Sequence, residues 1–202
     1  MVAENTEADA IESKEEETPE PVEEVGEEMS GTAETGTYAP EETGASTLVV
    51  YFSATGTTKG VAEKIAAITD ADLFEIVPEE PYTAEDLNYN DRSTRATVEQ
   101  NTPDARPAFM EWEMAMEDVY DTIFIGYPIW WGEEPRIMDT FVERYSFGNA
   151  TMVPFCTSGG SGVGRSDKNL EEKAGSGNWL SGTRLSGSIT EEELRDWIDG
   201  LQ

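Results

Sequence analysis

The 202-residue sequence contains no histidine and a single cysteine, Cys156. One cysteine cannot form an intrachain disulfide, a CxxC redox pair or a four-cysteine iron–sulfur site. The absence of histidine excludes a Ser-His-Asp triad and an HExxH zinc site. Any redox chemistry therefore has to come from a bound organic cofactor, without a metal site. Cys156 itself is interpreted as a buried small apolar residue, the alternative being a thiol at a cofactor's rim.

Basic residues are scarce: 13 Lys and Arg stand against 43 Asp and Glu, giving a formal net charge of −30. The protein is a poor candidate for nucleic-acid binding, because such binding needs Lys and Arg to neutralise phosphates. The electrostatic field of so acidic a protein favours partner proteins with basic docking faces. The alternative is that the charge serves solubility alone.

Large apolar residues are nearly absent from residues 1–46, which hold 15 acidic residues and one lysine, Lys14. Such a composition cannot bury enough surface to offset the entropy of ordering, so a disordered acidic segment or spacer is predicted. Residues 47–202 suit one compact domain, expected to be a monomer.

No apolar run reaches transmembrane length, and residues 1–20 lack the basic start and apolar core of a signal peptide. The sequence as written therefore predicts a cytoplasmic protein. If Met1 replaces a removed signal, the acidic segment becomes the spacer of an exported or lipid-anchored protein.

Short apolar runs alternate with stretches of helical periodicity from residue 47 onward. Strands are predicted at 48–52, 72–77, 121–127, 151–156 and 183–185. Helices are predicted after the loop 53–58, at 111–119, 136–145 and 166–174, and from Thr190, where a T-x-x-E capping box begins. The polar connection 78–108 is predicted to be a long loop with a short helix near 83–87. The alternation predicts an α/β fold, a doubly wound five-stranded parallel sheet with helices on both faces.

The run Leu48–Thr58, LVVYFSATGTT, predicts a buried strand, a tight turn and a helix start. A helix N-terminus presents unpaired N–H groups, so this loop is suited to hold a phosphate with its four hydroxyl residues. This loop matches neither the P-loop pattern GxxxxGK[ST] nor the Rossmann dinucleotide-binding pattern GxGxxG, because Gly56 is followed by Thr57-Thr58-Lys59-Gly60. The alternative is an ordinary turn with Thr57 or Thr58 as the N-cap.

The predicted third strand runs into Gly126–Gly132, GYPIWWG. Two adjacent tryptophans are costly to leave in water and hard to bury together, so they suit the walls of a site for a flat aromatic ring. Pro128 stiffens the loop, and Gly132 permits a close backbone approach. The alternative is that both tryptophans pack against the 78–108 connection.

The predicted fourth strand is followed by Cys156–Arg165, a run rich in glycine and hydroxyl residues. It suggests backbone N–H groups turned toward the edge of a ligand, or alternatively a flexible linker. The three loops follow strands in the chain order that one ligand at the carboxyl ends of a parallel sheet requires.

Through these loops, and through SGVGRSDKNLE at Ser161–Glu171, residues 47–202 resemble the flavodoxin family, most closely its bacterial flavodoxin-like branch with a GYPIWWG-type loop. The resemblance implies strand order 2-1-3-4-5 and FMN held without a covalent bond and cycled between three redox states. It assigns the 5′-phosphate to the loop Ser53, Ala54, Thr55, Gly56, Thr57 and Thr58. It assigns the flavin ring to Pro128, Ile129, Trp130, Trp131 and Gly132, and the ring's other edge to Thr157, Ser158, Gly159 and Gly160.

The resemblance implies a redox flavoprotein for electron transport, a low-potential one-electron carrier between partner proteins, rather than an oxidoreductase that turns over a substrate. An FMN-dependent NAD(P)H quinone or nitro reductase is the first alternative, and a flavin-free interaction module is the second. The 78–108 connection is longer than a minimal flavodoxin needs, and it is expected either to cover the flavin or to dock a partner.

Overall fold

The structure, a computed structural model, describes residues 46–112, 116–117 and 119–201. The predicted disordered segment, except Ser46, lies outside the described residues, as do positions 113–115 and 118 of the predicted helix 111–119. The division of the chain at residue 46 therefore stays a prediction. None of the helices in the described part of the chain is long and apolar enough to cross a membrane.

The described residues contain six strands: β1 (Thr47–Tyr51), β2 (Asp72–Glu75), β3 (Thr122–Pro128), β4 (Thr151–Thr157), β5 (Asn178–Trp179) and β6 (Thr183–Arg184). They lie in one parallel sheet with the order β2-β1-β3-β4-β5, as predicted, and β6 also pairs with β4. The fifth position of the sheet is divided, because β5 and β6 pair with successive parts of β4. Gly182 lies between them, and its N–H donates to the Asp167 carboxylate instead of joining the ladder.

Five helices are found in the described residues: α1 (Thr57–Thr69), α2 (Arg95–Gln100), α3 (Arg136–Arg144), α4 (Ser166–Ala174) and α5 (Glu191–Asp199). The capping box predicted for α5 is present, with Thr190 and Glu193 bonded reciprocally. The short helix predicted near 83–87 is wrong: the Asp86 carboxylate accepts hydrogen bonds from the Thr83 N–H and hydroxyl and closes a turn there. In the 111–119 span, the described residues are not helical.

Alternate residues of the central strands pack into two cores, one on each face of the sheet. In β1, Leu48 and Val50 face the core that contains α3 and α4, while Val49 and Tyr51 face the core of α1 and α5. Burial on both faces explains why β1 is apolar without a break. The helices therefore lie on both faces, as predicted, and the loops after β1, β3 and β4 emerge at one edge.

Two carboxylates are completely buried at the start of α3, those of Glu134 and Asp139. The Lys173 ammonium of α4 lies 3.0 Å from Glu134 and 2.8 Å from Asp139. The Arg136 guanidinium lies 3.4 Å from Asp139. Burial raises the pKa of Glu134, and the nearby charge of Asp139 raises it further. This buried charge cluster (Glu134, Arg136, Asp139 and Lys173) joins α4 to α3 and to the chain that leaves the loop after β3.

We expect Lys173→Met to destabilise the apo protein by about 3–5 kcal/mol at pH 7, because two buried carboxylates lose a shared partner. Urea unfolding measures the loss. The control is Lys168→Met, which removes an exposed pair with Glu171 on the same helix and should cost less than about 1 kcal/mol. Equal losses in the two variants would show that the buried charge cluster contributes nothing specific.

The same variant should show a pH dependence of known sign. A carboxyl group whose pKa is raised by folding binds its proton at a higher pH in the folded state than in the unfolded state. Lowering the pH through this range therefore stabilises the folded state relative to the unfolded state. Glu134 has this raised pKa, and Lys173 opposes the rise. The destabilisation by Lys173→Met should therefore shrink as the pH falls from 7 toward the ordinary pKa of a glutamate.

Two glycines form a matched pair for a packing test. A Cβ atom at Gly126 of β3 would lie 2.2 Å from the Phe155 ring, whereas a Cβ at Gly60 of α1 meets nothing within 4 Å. Gly126→Ala should destabilise the protein by about 1–3 kcal/mol. Gly60→Ala should stabilise it by about 0.5–1 kcal/mol through helix propensity. Urea midpoints check both, and a neutral Gly126→Ala would mean that Phe155 has room to move.

Candidate functional site

The loops that follow β1, β3 and β4 meet around a cavity of about 390 Å³. Its lining contains eight of the residues that the sequence predicted, two from the first loop and three from each of the others: Thr55, Thr57, Pro128, Ile129, Trp130, Thr157, Ser158 and Gly159. A wider depression of about 670 Å³ adjoins it, shares part of this lining, and adds Trp131, Gly132 and Gly160. The structure thus brings the three predicted loops together at one place.

Gly56 is the N-cap of α1 and has a left-handed backbone conformation, with φ of 85°. Ser53 fixes this turn, because its hydroxyl accepts a hydrogen bond from the Gly56 N–H at 3.1 Å. A glycine cap has no side-chain acceptor for the first-turn N–H groups, so they remain available to an anion at the cavity. The alternative in which Thr57 or Thr58 caps the helix is wrong.

Four of the predicted site residues, Ser53, Ala54, Gly56 and Thr58, are absent from the cavity lining. Thr58 is buried, and its hydroxyl shares a 2.8 Å hydrogen bond with the Thr157 hydroxyl. Ala54 packs against the core. Thr58 therefore links the start of α1 to the end of β4. Of the four hydroxyl residues in the loop after β1, only Thr55 and Thr57 line the cavity.

The loop after β3 makes a tight turn, in which Trp130 and Glu133 exchange backbone hydrogen bonds of 2.9 and 3.1 Å. Trp131 and Gly132, at the centre of the turn, have φ of 52° and 89°. Positive φ is natural for glycine and strained for a bulky residue, which is typical of ligand clamps.

The two tryptophans have different environments. Trp130 is buried and packs edge-on against Phe52 and Tyr82, with ring centroids 5.5 and 5.0 Å away. It therefore contacts the 78–108 connection, as the packing alternative expected, while also lining the cavity. Trp131 is 49% exposed at the mouth, where it meets Tyr89 edge-on.

Hydrogen bonds hold the loop after β4 against its neighbours. The Arg184 guanidinium of β6 donates to the hydroxyl and the carbonyl of Ser158, at 3.0 and 3.1 Å. The Ser158 hydroxyl also donates to the Ser161 carbonyl, and Ile129 N–H donates to the Thr157 carbonyl at 2.9 Å. These hydrogen bonds favour an ordered loop over the flexible-linker alternative, and they identify Arg184 as a supporting residue that the sequence did not single out.

The 78–108 connection forms a further wall of the cavity through Leu87 and Tyr89. Tyr82 anchors this connection: its hydroxyl donates to Glu99 at 2.6 Å, and the Arg95 guanidinium lies 4.1 Å from its ring centroid. The sequence indicated only that a segment of this length covers a ligand or docks a partner. It did not indicate which residues reach the site.

Cys156 is completely buried in β4, as expected for a small apolar residue. Burial raises the pKa of its thiol to about 11, so the reactive thiolate is nearly absent at neutral pH. Among the described residues, no group of three or more cysteine, aspartate or glutamate side chains is arranged to hold a metal ion.

The family model described as Flavodoxin matches residues 46–201. A proposed flavoprotein of Bacteroides eggerthii is 45% identical, with a TM-score of 0.71 over 76% of this chain and 96% of that one. A proposed flavoprotein of Bacteroides uniformis is 40% identical, with a TM-score of 0.72 over 77% and 98% of the chains.

A flavoprotein of Lactobacillus acidophilus, solved in complex with FMN, is 25% identical, with a TM-score of 0.57 over 76% of this chain and 99% of that one. A comparison with curated proteins gives no match. The match to the family model covers most of the sequence, and the observed strand order is the one expected for this family. The chain belongs to the flavodoxin family.

Proposed function

We propose that this protein binds FMN and carries electrons, one at a time and at low potential, between partner proteins. The observation that carries the proposal is the meeting of three loops, each predicted independently, around one cavity of about 390 Å³. This volume lies in the range of small-molecule and cofactor sites. The family membership and the FMN-bound relative of Lactobacillus acidophilus support the choice of ligand.

The residues present fit the two ends of FMN. The 5′-phosphate is assigned to the Gly56-capped start of α1, with the Thr55 and Thr57 side chains on the cavity. The first turn, Thr57-Thr58-Lys59-Gly60, contains no carboxylate to repel an anion. The ring is assigned to the loop after β3, whose Trp131 presents an exposed aromatic surface.

Bound FMN supplies the redox chemistry, and the chain supplies binding, orientation and an electrostatic environment. Residues 47–202 contain 28 acidic and 12 basic residues. The fully reduced flavin of flavodoxins is an anion, so this negative environment disfavours it and lowers the potential of the step that forms it. The same charge favours redox partners that present basic docking faces.

A reductase that accepts hydride from NAD(P)H is the second candidate. The observation in its favour is the wider depression of about 670 Å³ beside the cavity, bordered by Trp131 and Gly132. A hydride donor needs such space over the flavin ring. An interaction module without flavin is the third candidate, and it predicts no FMN binding at all.

The test begins with the visible absorption spectrum of the purified protein and an FMN titration followed by tryptophan fluorescence. We expect stoichiometric binding and, by spectroelectrochemistry, a potential for full reduction well below that of free FMN. A potential at or above that of free FMN would contradict the low-potential carrier. Rapid NADH or NADPH oxidation by the holoprotein would favour the reductase, and no FMN uptake would favour the interaction module.

The assignment of the phosphate to the start of α1 can be tested with a separate variant. Thr55→Ala should weaken FMN binding by roughly 10- to 150-fold, the effect of losing one hydrogen bond to a charged group. Riboflavin, which lacks the phosphate, should bind the variant and the wild type equally. The control is Thr69→Ala at the other end of α1, where the hydroxyl donates to the Ile65 carbonyl. Equal weakening of riboflavin binding would place Thr55 elsewhere in the site.

A further inference from the structure

Arg184, on the short strand β6, bonds directly to the lining of the site. Among the described residues, neither the cavity nor the wider depression is lined by a charged side chain. The Arg184 guanidinium donates to the hydroxyl and the carbonyl of Ser158, at 3.0 and 3.1 Å, and Ser158 lines both spaces. A positive charge therefore lies directly behind one wall of an otherwise uncharged site.

This positive charge is not paired with a carboxylate in the described part of the chain. The formal net charge of the protein is −30, yet none of the ion pairs found among the described residues includes Arg184. Five other arginines do form such pairs: Arg95, Arg106, Arg136, Arg144 and Arg195. A guanidinium that bonds to the wall of a cavity and has no carboxylate partner is suited to an anionic ligand.

Strand pairing places Arg184 on the far side of the site from the start of α1, to which the phosphate is assigned. Strand β6 pairs with β4, and Arg184 is level with Cys156. From β1 the sheet runs through β3 and β4 to β6, so the backbone of Arg184 lies about 14 Å across the sheet from the end of β1. The charge therefore acts chiefly on the end of the site that is assigned to the flavin ring.

The short strand that carries Arg184 is fixed on both sides. Before it, the Gly182 N–H donates to the Asp167 carboxylate at 2.9 Å. Within it, the Thr183 hydroxyl accepts from the indole N–H of Trp197 at 3.3 Å. The two bonds to Ser158 then hold the guanidinium itself. A charge that is held in place before the ligand arrives needs little reorganisation to act on it.

We propose that Arg184 supplies a positive charge to the ring end of the site and favours the fully reduced, anionic flavin over the oxidised flavin. This role of Arg184 rests on the proposed FMN-binding function and names a residue that sets the potential. The acidic residues of the domain lower the potential of the step that forms the anion, and Arg184 opposes them locally. Its charge therefore limits how far the potential falls.

The test compares Arg184→Met, which removes the charge, with Arg184→Lys, which keeps it, in the full chain loaded with FMN. The matched control is Arg144→Met. Arg144 is the last residue of α3 and forms an exposed pair with Glu111, so this variant changes the net charge equally but lies toward the other edge of the sheet. Urea midpoints first establish that the variants fold as the wild type does.

The expected effect follows from the distance. A ligand atom that touches the Ser158 hydroxyl lies within about 6 Å of the guanidinium, given ordinary hydrogen-bond lengths. At an effective dielectric constant between about 40 and 80, one unit charge at this distance changes the binding of an anion about 3- to 10-fold. Arg184→Met should weaken the binding of reduced relative to oxidised flavin by this factor. The potential of the anion-forming step should therefore fall by about 30–60 mV, at about 59 mV per tenfold.

Riboflavin, which lacks the phosphate, should show the same shift of potential in Arg184→Met, whereas Arg184→Lys and Arg144→Met should keep the wild-type potential. Spectroelectrochemistry measures the potentials, and fluorescence titrations measure the binding of the oxidised flavins.

Three results would overturn this role of Arg184 while leaving the FMN-binding function intact. Equal weakening of both redox forms by Arg184→Met, with an unchanged potential, would show that Arg184 only supports the Ser158 loop. Weakening of FMN but not of riboflavin would place the charge on the phosphate. An equal shift in Arg144→Met would show an effect of net charge alone. Absence of FMN binding by the wild type would instead overturn the proposed function, and the role of Arg184 with it.

Discussion

Parallel pairing of β1, β3 and β4 is the constraint on which the site depends. Parallel strands end at one edge of the sheet, so strand pairing alone brings the three loops that follow them to that edge. The ladder continues past the strands, because Phe52 N–H donates to the Gly126 carbonyl and Ile129 N–H donates to the Thr157 carbonyl, both at 2.9 Å. The Thr58–Thr157 hydroxyl pair adds a side-chain link at the same level. The backbone of the sheet thus sets the spacing between the loops.

The central sheet and the site's position were predictable from the sequence because their signals are local. An unbroken apolar run such as Leu48–Phe52 indicates a strand buried on both faces, and the Thr190 capping box gives the start of α5. The division of the last strand and the helix α2 carry no comparable signal. Residues 83–87 form a turn, since Asp86 bonds to Thr83 in a way that helical periodicity does not reveal. Such choices depend on individual side-chain hydrogen bonds.

Within the site, the sequence predicted which three loops would line one cavity, but it did not predict how their side chains are oriented. Two adjacent tryptophans indicate an aromatic wall, but the sequence does not show that Trp130 turns into the core while Trp131 turns outward with a positive φ. That division follows from the Trp130–Glu133 turn, a tertiary feature. Tyr89 was missed because it lies in a polar segment without periodicity, whose position is fixed by the packing of Tyr82 and by the hydrogen bonds of Asp86 and Asp91.

A strained, exposed Trp131 persists because residues outside the cavity hold its turn. Its left-handed conformation costs of order 1 kcal/mol, and leaving the ring in water adds to that cost. Against this, Arg136 bonds to Glu133 at the end of the turn and to the Gln100 carbonyl at the end of α2. The Gln100 amide in turn donates to the Glu134 carbonyl. The buried charge cluster therefore joins the turn that presents Trp131 to the end of α2, in the β2–β3 connection that also lines the cavity.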